Sequence, residues 1–222
     1  MAKHSNVLKR FVSGELDILS ALKILKVLLK DMGDEKLIKW VEGEMTGYSA
    51  NDTNLPGYRK ICGQVFGNIR TMQSITHQHP LPISGVPQDK VDQLLTVPIS
   101  FGVEALKKQS QTKDDTILGR PVFPCYYHWF EDGLEACSLT HVYVRYSHTD
   151  LINVLSNIEN KVLDIFYLLE QQGGDLDEMN VDGINHQGPI VALINKLVYN
   201  SNDITIGNGN KLSKTTLQTE SK

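Results

Sequence analysis

Cysteine is scarce in this chain: Cys62, Cys125 and Cys137 are the only three in 222 residues. So small and odd a number excludes a disulfide framework and suits a reducing compartment, so the cytoplasm is the expected location. Long apolar runs are missing too. No segment approaches the roughly 20 apolar residues a bilayer-spanning helix needs. Lys3, Lys9 and Arg10 are not followed by an uninterrupted apolar run, so no signal peptide is read. Excess positive charge is absent: 22 Lys and Arg stand against 26 Asp and Glu, a formal net charge of -4. That balance gives no broad electrostatic reason to bind nucleic acid. There is no Gly-rich phosphate loop, serine elbow or H-E-x-x-H.

What is present is organised around residues 34 to 59, DEKLIKWVEGEMTGYSANDTNLPGYR. Gly33 suits the left-handed position that ends a helix, and the Asp34 carboxylate can cap the next one. Before it, Ile18, Leu22, Leu25, Leu29 and Met32 step by fours and threes and share one helix face. After it, Leu37, Trp40, Val41, Glu44 and Met45 give a second helix a face of mixed character. Two such helices joined with almost no linker pack antiparallel and bury Trp40. Gly47, Asn51, Asp52, Asn54, Pro56 and Gly57 then supply turn chemistry. Tyr58, Ile61, Val65 and Ile69, interrupted by Gly63 and Gly67, read as one strand or two short ones with bulges.

Taken together, LIKWVEGEMTGY, LPGYR, the glycine-spaced strand with Asn68, the Leu81-Pro82 pair and a long apolar helix ending in LLE resemble the bacterial abortive-infection family AbiTii. Order and spacing carry the resemblance, over roughly residues 10 to 172. It implies a role in anti-phage defence. It carries over no catalytic residue.

Elsewhere, residues 5 to 12 predict a short helix, and Ser13 and Glu15 suit the cap and first turn of the long helix after it. Residues 71 to 86 read as loop. Pro87 opens a short helix with Val91, Leu94 and Leu95 inward, ended by Pro98. Another covers Phe101 to Lys108. RPVFP leads to the aromatic cluster Tyr126, Tyr127, Trp129 and Phe130, which reads as core. LTHVYVRY alternates, with Val142, Val144 and Tyr146 on one face, as a half-buried strand does. Thr149 or Ser147 caps the longest helix, whose Leu151, Leu155, Ile158, Val162, Ile165 and Leu169 point one way until Gly173 and Gly174 end it.

The expected fold is α+β: an N-terminal helical hairpin and a long C-terminal helix packed with a small antiparallel sheet. Residues 1–172 form that domain, and polar, acidic 173–188 reads as a linker. Residues 189–222 form an extension of one short helix, with Ile190, Leu193, Ile194 and Leu197 inward, and a polar β-hairpin from Ile204 to Leu217. An isolated hairpin is marginal in water, so the extension is expected to dock or to make a homo-oligomer.

Several constellations could carry chemistry. Cys125, His128, Cys137 and His141 approach zinc-ligand spacing, but an extended 137–141 separates its ends by about 13 Å, too far for one metal. His77 and His79 lie in a polar loop, and nothing activates Cys62 or Cys125 as a nucleophile. No metal or cofactor is expected. Aromatic residues at 126–130 with Tyr143 and Arg145 could stack nucleobases, but the reading as core is preferred. Glu44, Asp52, Tyr58 and Arg59, with Glu42 and Tyr48, are the best candidates for a polar site. The competing reading is that they only fix the loop.

Two functions follow. The favoured one is a non-catalytic sensor or interaction module that self-assembles and acts by contact with a phage or host protein, with nucleic acid not expected as a partner. The alternative is a toxic effector enzyme, perhaps a nuclease, with its site around residues 42–59. The absence of a catalytic signature favours the first.

Overall fold

A computed structural model describes residues 4–49, 52–112, 118–131, 134, 137–184 and 187–199. The expected hairpin at 204–217 lies outside the described residues. The fold is α+β, with helices and small antiparallel sheets. By chain contact it divides into two compact units: residues 1–48, 56–58 and 156–222, and residues 49–55 and 59–155.

The first unit is helical. Helices α1 (Asn6–Val12), α2 (Ile18–Asp31) and α3 (Glu35–Thr46) come first. Asp17, not Ser13, caps α2: its side chain accepts from Ser20 N at 3.0 Å. Ser13 instead ends α1, and Glu15 lies in the connection. The carboxylate wins because it can accept from both the backbone N–H and the hydroxyl of Ser20. The α2–α3 hairpin forms as its sequence requires. Gly33 takes φ +73°, Asp34 accepts from Leu37 N at 2.8 Å, and Trp40 is buried with Leu22, Leu25 and Leu29.

Helix α6 (His148–Gln171) straddles the division after Leu155, and its later turns bury Ile158, Val162, Ile165, Phe166 and Leu169. Two carboxylates serve the N-terminus of α1. Glu170 accepts from Ser5 N and meets His4 Nδ1 at 2.6 Å, while Asp177 accepts from Val7 N at 2.9 Å and Asn6 N at 3.0 Å. Within the stretch assigned to a linker, Leu176, Val181 and Ile184 are buried. Helix α7 (Gln187–Tyr199) buries Ile190, Ile194, Leu197 and Val198. Its Asn195 Nδ2 donates to Asp34 at 3.3 Å, and the Lys36 ammonium lies 4.0 Å from the centre of the Tyr199 ring.

The second unit carries the sheets. Strand β1 (Lys60–Cys62) pairs with β4 (Thr96–Pro98), and a four-stranded antiparallel sheet has the order β3-β2-β6-β5. Its members are β2 (Gln64–Arg70), β3 (Ile75–Pro80), β5 (Gly119–Pro121) and β6 (Ser138–Arg145). Helices α4 (Gln88–Leu95) and α5 (Val103–Ser110) connect them. Val65, Ile69, Val97, Val103, Leu106, Phe130, Val142 and Val144 form the core of this unit.

Four expectations need correction here. Residues 75–80 are a strand, not a loop; every residue of β3 is exposed, so it has no burial alternation to read. The helix expected from Phe101 begins at Val103. The alternation of β6 is broken by a bulge, since Phe66 pairs with Tyr143 but Asn68 with Thr140. The extra residue brings Leu139 onto the buried face with Val142, and His141 takes φ +52°. Finally, the aromatic cluster is a 3-10 segment, Pro124–Phe130, in which only Phe130 is buried. Three residues per turn distribute these side chains around the axis, so they do not share a single inward face.

Candidate functional site

Of the residues singled out for a polar site, Glu44 and Tyr58 come together in the first unit. The acid lies in the last turns of α3 and is fully buried. Its Oε1 accepts from the Tyr48 and Tyr58 hydroxyls, each at 2.7 Å. Tyr58, half-buried in the 3-10 turn Gly57–Arg59, also accepts from Trp40 Nε1 at 2.8 Å. Tyr48 sits against α3 at Gly43, where a Cβ would overlap its ring. A glycine inside a helix costs about 1 kcal/mol relative to alanine, and here it makes room for the aromatic ring.

Asp52 and Arg59 belong to the second unit. Asp52 is half-exposed and builds a turn, its Oδ1 accepting from Asn54 N at 2.9 Å. Arg59 is fully buried. Its Nη1 donates to the carbonyls of Ile99 at 2.9 Å and Phe101 at 2.7 Å, and its own carbonyl accepts from Ile99 N. The planar guanidinium is well matched to fastening two carbonyls of one connection. Glu42 is on the surface, 2.8 Å from Lys26 Nζ.

The other candidates are scattered. Cys62 and Cys125 are exposed and Cys137 is half-buried. His77 and His79 stand on exposed β3. Among the described residues no group of three or more His, Cys, Asp or Glu is placed to hold a metal ion. No described helix is long and apolar enough to cross a membrane.

Two cavities of the second unit were not anticipated from the sequence. One, of 580 Å³, is bounded by Cys62, Gln64, Phe66, Arg145 and the start of α6. The helix start is already served there: Ser147 Oγ accepts from Asp150 N at 3.1 Å, and Asp150 accepts from Ser147 N at 2.8 Å. The other, of 420 Å³, lies among Lys90, Leu94, Arg120, Phe123, Tyr126 and Trp129. RPVFP and the aromatic run were the available signal for it; what the sequence could not show is that Phe123 and Tyr126 are exposed.

The sequence model of the AbiTii family matches residues 5–183. The chain belongs to the AbiTii family. The AbiTii match begins at the start of α1 and covers the whole of the second unit. It ends before α7, so this helix and the residues after it lie beyond the matched part of this AbiTii chain. Family membership associates the chain with abortive-infection defence against phage. No curated protein and no solved structure matches the chain.

Proposed function

We propose that this AbiTii chain serves abortive-infection defence as a non-catalytic sensor and interaction module, acting in the cytoplasm by contact with a phage or host protein and assembling with copies of itself. The observation that carries the reading is the placement of Glu44 and Arg59. Both are fully buried, one accepting from two tyrosine hydroxyls and the other donating to two backbone carbonyls. A catalytic acid or electrophile must meet its substrate, and groups without exposed surface cannot do so unless their surroundings move. The residues that were the best candidates for chemistry serve as fasteners.

Self-assembly is assigned to the extension. The extension is residues 189–222; because Ile190, Ile194, Leu197 and Val198 of α7 are buried, residues 200–222 are the part removed in the test. A toxic effector enzyme with its site around residues 42–59 is the competing function. The test is phage plating and solution mass for the intact chain, a chain ending at Tyr199, and the Asp52→Asn and Tyr58→Phe variants, both at half-exposed positions. The expected result is protection by the intact chain and both variants, with loss of mass and protection on truncation. An unchanged mass after truncation overturns the assembly part. Loss of protection in a folded Asp52→Asn or Tyr58→Phe protein overturns the non-catalytic part and favours the enzyme.

A further inference from the structure

The 420 Å³ cavity beside α4 and β5 has an unusual lining for a surface with no ligand to meet. Phe123 is 71% exposed and Tyr126 41% exposed. The Tyr126 ring stacks on Trp129 with centroids 4.5 Å apart and planes 27° from parallel. Arg120, half-buried in β5, reaches the last turn of α4, where its Nη2 donates to Leu94 O at 2.6 Å. This bond and the favourable field of the helix C-terminus hold the guanidinium at the cavity wall. Among the described residues no carboxylate pairs with it. Lys90, which also lines the cavity, has among the described residues a single ion pair, with its chain neighbour Asp89 at 3.3 Å, both side chains being well exposed. Such a pair is weak and yields readily to a better anion.

We propose that this cavity is a nucleotide-binding site: the base lies against the Phe123, Tyr126 and Trp129 rings and the phosphate is met by Arg120 and Lys90. The chemistry is specific to a ligand with a flat π system at one end and an anion at the other. Aromatic side chains stack on any base, and a guanidinium fixed through Nη2, with its Nε buried, leaves Nη1 to meet phosphate oxygens. Size selects a single nucleotide over a strand. The volume lies within the roughly 300–1,000 Å³ of small-molecule sites, whereas a strand needs an extended cationic groove. A net charge of -4 also disfavours a long polyanion. The proposal is independent of the assembly role above.

The experiment titrates the full chain with AMP, GMP, CMP and UMP, reading tryptophan fluorescence and heat. Trp129 lines the cavity, whereas Trp40, the other tryptophan, is buried in the first unit, so Trp129→Phe identifies the source of any quench. The expected result is saturable quenching by at least one nucleotide, lost in Trp129→Phe. Binding is expected to weaken by about tenfold in Phe123→Ala and in Lys90→Gln, with adenosine and ribose 5-phosphate each binding less well than AMP. Phe123 and Lys90 are exposed, so neither change strips the core. No saturable binding of any of the four nucleotides at millimolar concentration overturns the proposal, as does affinity unchanged in both variants. A thymidine oligonucleotide binding more than ~100-fold tighter than every nucleotide overturns it in favour of a single-strand surface.

Discussion

Trp40 Nε1 donates to the Tyr58 hydroxyl at 2.8 Å, and the same hydroxyl donates to Glu44. One phenol from the turn thus meets two side chains that lie one helical turn apart on α3. The spacing of four residues between Trp40 and Glu44 puts both on one face, and Tyr58 closes that face. Tyr58→Phe removes a donor from a fully buried carboxylate and the acceptor from an indole N–H. An unmet buried group costs about 1–3 kcal/mol, so the variant is expected to lose that much stability in urea unfolding while keeping its helical signal. An unchanged midpoint would mean that the hydroxyl bonds water instead.

Gly43→Ala tests the neighbouring packing. On helix propensity alone the change stabilises by about 1 kcal/mol. Because a Cβ at this position would overlap the Tyr48 ring, a net loss of about 1–3 kcal/mol is expected. Thermal unfolding reads the sign directly, and a gain in stability would place Tyr48 away from α3.

Acid sensitivity should centre on the start of α1. The Asp177 carboxyl is held below the usual carboxylate range, first by the N–H of Asn6 and then by that of Val7. Burial pushes Glu170 up, but its bonds from His4 and Ser5 outweigh this and leave it lowered. A carboxyl lowered on folding contributes stability that is present above its unfolded value, about 4, and lost as pH falls through the folded one. Asp177→Asn is expected to lose about 0.5–1 kcal/mol at pH 7 and to give a shallower decline of urea midpoint between about pH 5 and pH 3. Parallel declines in the two proteins would rule Asp177 out.

The strands on both sides of β2 bulge at neighbouring positions, β3 opposite Asn68 with Gln78 at φ +53° and β6 opposite Gly67 with His141 at φ +52°. Asn68 Oδ1 accepts from Gln78 N at 3.1 Å. Left-handed backbone strains any residue with a Cβ, by about 1–2 kcal/mol. Gln78→Gly is therefore expected to be neutral or stabilising, and Gln78→Val to cost more than 1 kcal/mol by about the same scale. Equal stability for both would show that the bulge relaxes without cost.

Local signals were legible wherever one residue's chemistry decides a conformation. Gly33 and Asp34 divide α2 from α3, and the four-and-three spacing of leucines marks the buried face of α2. Ser13 misled because Asp17, four residues on, is an equally good cap on paper, and only the connection after α1 shows which one starts a helix. Strand β3 was missed because an exposed edge strand has no inward face to imprint on its sequence. The bulge in β6 depends on its pairing with β2, which no pattern within 138–145 contains.

The helical hairpin, the buried Trp40, the long α6 and membership of the AbiTii family are all readable along the chain, because each rests on periodicity, caps or residue order. Which polar and aromatic residues are buried and which are exposed emerged only from the folded chain. Glu44 and Arg59 are charged groups that composition cannot tell from an active site until their exposure is known. Phe123 and Tyr126 are aromatic groups that composition cannot tell from a core until their exposure is known. Burial is a property of the folded chain, set by what distant segments cover, and it decided the reading of both groups.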